Sequence, residues 1–109
     1  MTIELLGIKT CDTVKKSLKW WKDRGIAVEY VDLILGISPA FATELFEAFG
    51  EKVINKSSRT WRLLSDEDKQ RDPVELLSEN PTLAKRPIIR INGAWKSIGF
   101  QPELWEEFV

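Results

Sequence analysis

The chain has 109 residues, 43% hydrophobic and 30% charged, with a net charge of −1; this describes one folded soluble domain and excludes a disordered chain or one dominated by nucleic-acid backbone binding. It holds no histidine and a single cysteine, which excludes an internal disulfide, serine–histidine and cysteine–histidine catalytic pairs and most zinc sites. No apolar run approaches the ~20 residues of a membrane helix, and no basic segment followed by an apolar one opens the chain, so a cytoplasmic, reducing setting is expected.

In chain order, residues 2–7 read as a short buried strand. Residues 12–24 read as a helix with Val14, Leu18 and Trp21 on its apolar face, lysines on its wet side and Gly25 as its stop. Trp20 points away from that face, a placement compatible with exposure and with a partner surface. Residues 26–33 are rich in β-branched and aromatic side chains and read as a second strand, parallel to the first through the βαβ connection. Ser38 and Pro39 open a helix with Phe41, Leu45, Ala48 and Phe49 as its apolar face, and Gly50 ends it. Asn55 to Thr60 reads as a polar loop. Ser65 opens a short helix through its acidic neighbours. Asp72-Pro73-Val74-Glu75 reads as a capping box ahead of Leu76-Leu77, and Asn80-Pro81 breaks the helix that follows. Residues 87–91 and 95–98 form a hairpin about Asn92-Gly93, and Pro102 opens a last helix through Leu104, Trp105 and Phe108.

The order β-α-β, helical block, β-β-α is the plan of an α/β, thioredoxin-like fold with a four-stranded mixed sheet. The expectation is a single domain over residues 1–109 with a helical insertion at about 38–84.

Cys11 falls where the first strand hands over to the first helix. The unpaired N–H groups and positive dipole end of a helix favour the thiolate, which is the nucleophilic form. Lys15, one turn along, adds positive charge. The structural alternative is a buried, inert thiol, the commoner state of a free cysteine. The polar neighbours Lys9, Thr10, Asp12 and Thr13 argue against a core position. Val14 occupies the place of the second cysteine in a Cys-x-x-Cys motif, so a redox cycle at Cys11 requires an external thiol such as glutathione. Arg86-Pro87 precedes the hairpin strand; proline at a strand start is commonly structural, while an arginine there is a forked donor for an anion. The loop from Asn55 through Arg59 to Arg62 is basic and polar, and reads either as a solvated loop or as a second anion clamp or seat for a peptide carboxylate.

Through residues 7–16 (GIKTCDTVKK) and 80–89 (NPTLAKRPII), with Asn55 to Leu63 and Ile98-Gly99-Phe100 in support, the whole chain resembles the arsenate reductase (ArsC)-like family, the glutathione- and glutaredoxin-linked type that also contains the Spx regulators. Within that family it is similar to the small YffB-like proteins. The resemblance implies that Cys11 is the nucleophile and that Arg86 is the arginine preceding a cis proline, Pro87. The family's reductases hold arsenate with three arginines. Here Asn55 stands where the central-loop arginine belongs, and Ile98-Gly99-Phe100 replaces the last. The resemblance therefore implies a glutathione-linked thiol oxidoreductase rather than an arsenate enzyme. Cys11 and Arg86 are its catalytic residues, with Lys9, Thr10, Asp12, Lys15, Asn55, Arg59, Arg62 and Pro87 binding substrate or glutathione. It implies no bound cofactor, glutathione as co-substrate, and glutathione or a glutaredoxin as partner. The residues themselves favour no metal, a monomer (small size, no obvious exposed apolar stripe), and binding to neither nucleic acid nor membrane (net charge of −1, no long apolar run). The alternatives are an Spx-like regulator that binds RNA polymerase and a catalytically inert member of the family.

Overall fold

A computed structural model describes residues 1–109. The chain divides into a sheet unit, Met1–Asp32 with Arg86–Val109, and a helical unit, Leu33–Lys85.

The sheet unit contains β1 (Ile3–Gly7), α1 (Asp12–Asp23), β2 (Glu29–Asp32), β3 (Ile88–Ile91), β4 (Ala94–Ile98) and α5 (Pro102–Glu106). Its four strands run in the order β2-β1-β3-β4. β1 pairs parallel with β2 and antiparallel with β3, and β3 pairs antiparallel with β4. This is the mixed sheet expected of a thioredoxin-like fold. Strand β2 is shorter than residues 26–33, because pairing with β1 begins at Glu4 opposite Glu29 and ends at Gly7 opposite Asp32. Leu33 already belongs to a 3-10 turn. The hairpin turns at Asn92 and Gly93, both at positive φ, as the favoured two-residue turn requires.

One core fills this unit. Ile3, Leu5, Val14, Trp21, Ile89, Ile91 and Trp105 are buried together. The Trp105 indole N–H, which burial would otherwise leave unpaired, donates to the Ser97 hydroxyl at 2.8 Å. Trp20 is half-buried rather than exposed. Its ring meets Trp21 edge-on at 4.8 Å and Trp105 at 5.4 Å, and the Arg24 guanidinium lies 3.7 Å from its centroid. Arg24 in turn pairs with Glu106. The helical period assigns Trp20 to the wet side; aromatic and cation–π packing near the end of α1 claims it for the core edge.

The helical unit contains α2 (Pro39–Phe49), α3 (Arg59–Leu63) and α4 (Pro73–Glu79), joined by 3-10 turns. Ser38 Oγ accepts from Phe41 N at 3.1 Å, so α2 starts as its sequence predicts. Its buried face is Ala42 and Leu45, with Phe41 and Phe49 half-buried; Ala48 is exposed, one position off the stripe. Residues 59 and 60 are helical, not loop. Ser58 Oγ caps α3 by accepting from Trp61 N at 3.2 Å, and a five-residue helix is too short for apolar periodicity to announce it. Ser65 Oγ accepts from Asp68 N at 3.0 Å, but only a 3-10 turn follows. The capping box at α4 is half-formed. Asp72 accepts from Val74 N at 3.0 Å, while the Glu75 carboxylate turns to the Arg71 guanidinium instead of to the Asp72 backbone. No helix of the chain is long and apolar enough to cross a membrane.

Candidate active site at Cys11

Four features of the sheet unit hold Cys11 in place. Gly7 ends β1 directly against α1. A Cβ built on Gly7 would lie 2.7 Å and 2.9 Å from the two methyl carbons of Val14, closer than real atoms approach. Strand and helix can therefore meet at this point only because residue 7 has no side chain. The loop turns tightly, with Cys11 N donating to Ile8 O at 3.0 Å. Cys11 is the N-cap of α1, in extended geometry, and its carbonyl accepts from Lys15 N at 3.1 Å. Its side chain packs at the margin of the core and is half-buried.

That position sets the chemistry of the thiol. Burial acts most strongly and pushes its pKa up. The N–H groups of Val14 and Thr13, followed by the charge and a hydrogen bond of Arg86, together outweigh burial and hold the thiol below its ordinary value. The Cys11 side chain closes no capping hydrogen bond of ordinary length. The sulfur gains from these donors as it becomes an anion, which is the condition for a depressed pKa. The cation that acts on it is Arg86, whose peptide bond to Pro87 is cis. Pro87 is buried, and its carbonyl accepts from Gly99 N at 2.8 Å. This ties the residue after Arg86 to the strand that returns from the hairpin.

The other residues singled out from the sequence are divided between the two units. Lys9, Thr10, Asp12 and Lys15 lie exposed around Cys11 on the loop and the first turn of α1. The Lys9 ammonium sits 5.9 Å from the centroid of the Tyr30 ring. Asn55, Arg59 and Arg62 belong to the helical unit. Asn55 has a turn-forming role there: its side-chain oxygen accepts from Ser57 N at 3.0 Å and its N–H donates to Leu83 O at 2.9 Å. Arg59 and Arg62 are exposed on α3.

One neighbour of the thiol, Tyr30, and a carboxylate that acts on Tyr30, Asp32, escape a reading of the sequence. Tyr30 and Asp32 lie on β2, whose register places Asp32 opposite Gly7 at the end of β1. Burial, and then the charges of Asp32 and Cys11, push the Tyr30 phenol up, with Arg86 opposing. The Tyr30 hydroxyl is buried without a hydrogen-bond partner. The signal that would have found them is positional: in open sheets, sites form beyond the carboxyl ends of parallel strands. His, Cys, Asp and Glu form no metal-holding group.

The ArsC family profile matches residues 6–108, nearly the full chain. The protein belongs to the ArsC family. An uncharacterized protein of Haemophilus influenzae is 40% identical over 110 residues, covering 95% of this chain and 96% of that one. Among solved structures, a YffB protein superposes with a TM-score of 0.88 at 28% identity, with 97% of each chain covered. An arsenate reductase (ArsC) related protein from Brucella melitensis does so with a TM-score of 0.80 at 28% identity, over 99% of this chain and 94% of that one. This ArsC-family chain thus shares its fold, over nearly its whole length, with arsenate reductase-like proteins.

Proposed function

We propose that this ArsC-family protein is a glutathione-linked thiol oxidoreductase working through one cysteine. The observation that carries the reading is the half-buried Cys11 thiol, held below its ordinary pKa by the N–H groups of Val14 and Thr13 and by Arg86. A lone, partly accessible cysteine in that state is poised to attack, and Val14 leaves it no partner in the chain.

The Cys11 thiolate attacks the glutathione sulfur of a protein–glutathione mixed disulfide. A bond forms between Cys11 and glutathione, the substrate disulfide breaks, and the released protein thiolate takes a proton from water. A second glutathione thiolate then attacks the Cys11 adduct, releasing glutathione disulfide and regenerating the Cys11 thiolate; a glutaredoxin thiol can serve in the same step. In net, the substrate protein's sulfur is reduced from disulfide to thiol and the sulfur of the second glutathione is oxidised from thiol to disulfide, while the transferred glutathione sulfur stays at the disulfide level throughout. Arg86 stabilises the thiolate as attacker and as leaving group, and Lys9 and Lys15 give the anionic tripeptide favourable surroundings. Such chemistry fits a monomer in the cytosol, where glutathione is abundant and reduced. Arsenate is disfavoured as substrate because the sequence lacks two of the three family arginines.

The test is transfer of glutathione from a glutathionylated peptide, with mass spectrometry of the enzyme. The expected result is a single glutathione adduct on Cys11 and turnover that disappears in Cys11→Ser. Full turnover by Cys11→Ser would refute the reading.

A further inference from the structure

The helical unit has a cavity of its own, remote in sequence from Cys11. It encloses about 170 Å³ and is built from α2, the segment before α3, α3 itself and α4. Phe46, Ile54, Pro73 and Leu76 make its apolar walls, and Trp61 supplies an aromatic one. The volume lies below the ~300–1,000 Å³ of sites for drug-sized ligands. It suits a small metabolite.

The charges around the opening are of both signs. Lys56 and Lys69 line it, their ammonium groups 5.6 Å and 5.7 Å from the centroid of the Trp61 ring. Neither makes an ion pair. The Trp61 π-system attracts each cation without neutralising its charge. Glu51 lines it too, and its carboxylate also has no cationic partner. Arg71 completes the lining, but its guanidinium is held by Asp68, Glu75 and Glu79, so its charge is already matched. The rim therefore presents two unmatched ammonium groups and one unmatched carboxylate above an apolar, aromatic floor.

We infer that this cavity binds a small zwitterion with an apolar body, of the class of the free apolar α-amino acids. The ligand's carboxylate meets Lys56 and Lys69, its ammonium meets Glu51, and its side chain fills the space between Trp61, Phe46 and Leu76. A ligand carrying one charge would leave one sign of the rim without a partner as it shuts out water, which is costly. Lys56 and Trp61 of the basic segment at residues 55–62 thereby find a use in the helical unit itself.

The probe is L-phenylalanine, titrated into the whole protein labelled with ¹⁵N. Five tryptophans give five indole N–H resonances, and Trp61→Phe identifies the one that matters. That resonance is expected to move and saturate at millimolar concentration. Two analogues share the body but keep one charge each: 3-phenylpropionate lacks the ammonium and phenethylamine lacks the carboxylate. Each is expected to bind at least about tenfold more weakly. Glu51→Gln should weaken phenylalanine and leave 3-phenylpropionate unchanged; the Lys56→Gln, Lys69→Gln pair should weaken phenylalanine and leave phenethylamine unchanged. The inference is overturned if the Trp61 resonance stays still at about 20 mM phenylalanine, or if either analogue binds as tightly. Triple-resonance assignment of the unaltered protein identifies the same Trp61 resonance if Trp61→Phe does not fold, so both decisions stand without any variant.

Discussion

Gly7 and Val14 meet so closely that a single added carbon at residue 7 would overlap both Val14 methyls. Because Val14 also offers its N–H to the Cys11 sulfur, the contact couples strand packing to thiol chemistry. Gly7→Ala is expected to destabilise the protein by about 1–3 kcal/mol through overpacking. It should also raise the midpoint of Cys11 alkylation by shifting the first turn of α1. Denaturant unfolding and the pH dependence of iodoacetamide labelling check the two effects. A variant that loses stability but keeps its alkylation midpoint would separate them.

Arg86 gives a second prediction. Replacing it with glutamine removes the one side-chain charge credited with lowering the Cys11 pKa and leaves burial, which raises it, unopposed except by the helix N–H groups. The alkylation midpoint of Arg86→Gln should rise toward that of a free thiol, about 8.5. Arg86→Lys should fall between, since an ammonium restores charge without the forked donor. Equal midpoints for all three proteins would exclude Arg86 from the site.

The depressed pKa also has a consequence for stability, of determined sign. The folded protein releases the Cys11 proton at lower pH than the unfolded chain does, so the unfolded state holds more protons between the two values. Stability conferred by the thiolate is fully present above the unfolded value of about 8.5 and is lost as pH falls through the folded value. Melting curves of the protein and of Cys11→Ser should therefore diverge as pH rises through that window, with the natural protein gaining. Parallel curves would mean an unperturbed thiol.

A fourth prediction concerns the sheet. Glu4 and Arg90 face each other across β1 and β3 and form a two-pronged pair, at 2.8 Å and 2.6 Å, on a largely covered face. The Arg90 hydrogen bonds hold the Glu4 carboxyl below its ordinary range, against burial. Glu4→Gln is expected to cost about 1–2 kcal/mol near neutral pH. The difference should vanish in acid, because the pair's contribution is present above the unfolded carboxyl value of about 4.3 and is lost as pH falls through the folded one. Urea titrations of both proteins at two pH values decide it.

The sheet unit was readable because its signals are local and mutually consistent. An apolar run meets a lysine-faced helix, Asn92-Gly93 closes a hairpin, and both order and direction follow from the βαβ rule. The helical unit was harder. Its pieces α3 and α4 span five and seven residues, too few for periodicity to accumulate, and Glu75 met a stronger partner in Arg71 than the cap it was assigned. At the site, the N-cap placement of Cys11 could be read from its neighbours. Tyr30 and Asp32 could not, because they join it through strand register, which links residues distant in sequence.

The helical segment interrupts the sheet unit between β2 and β3, and this has a consequence during synthesis. A ribosome delivers Cys11, its loop and α1 early, but β1 waits for its antiparallel neighbour β3 until Leu33–Lys85 has been made. Arg86 arrives only with that late strand. Until then the nascent thiol has neither its guanidinium nor a finished sheet beneath its helix. The chain thus makes its cysteine first and the cation that favours its thiolate last, so a truncated or stalled copy carries Cys11 without the charge of Arg86.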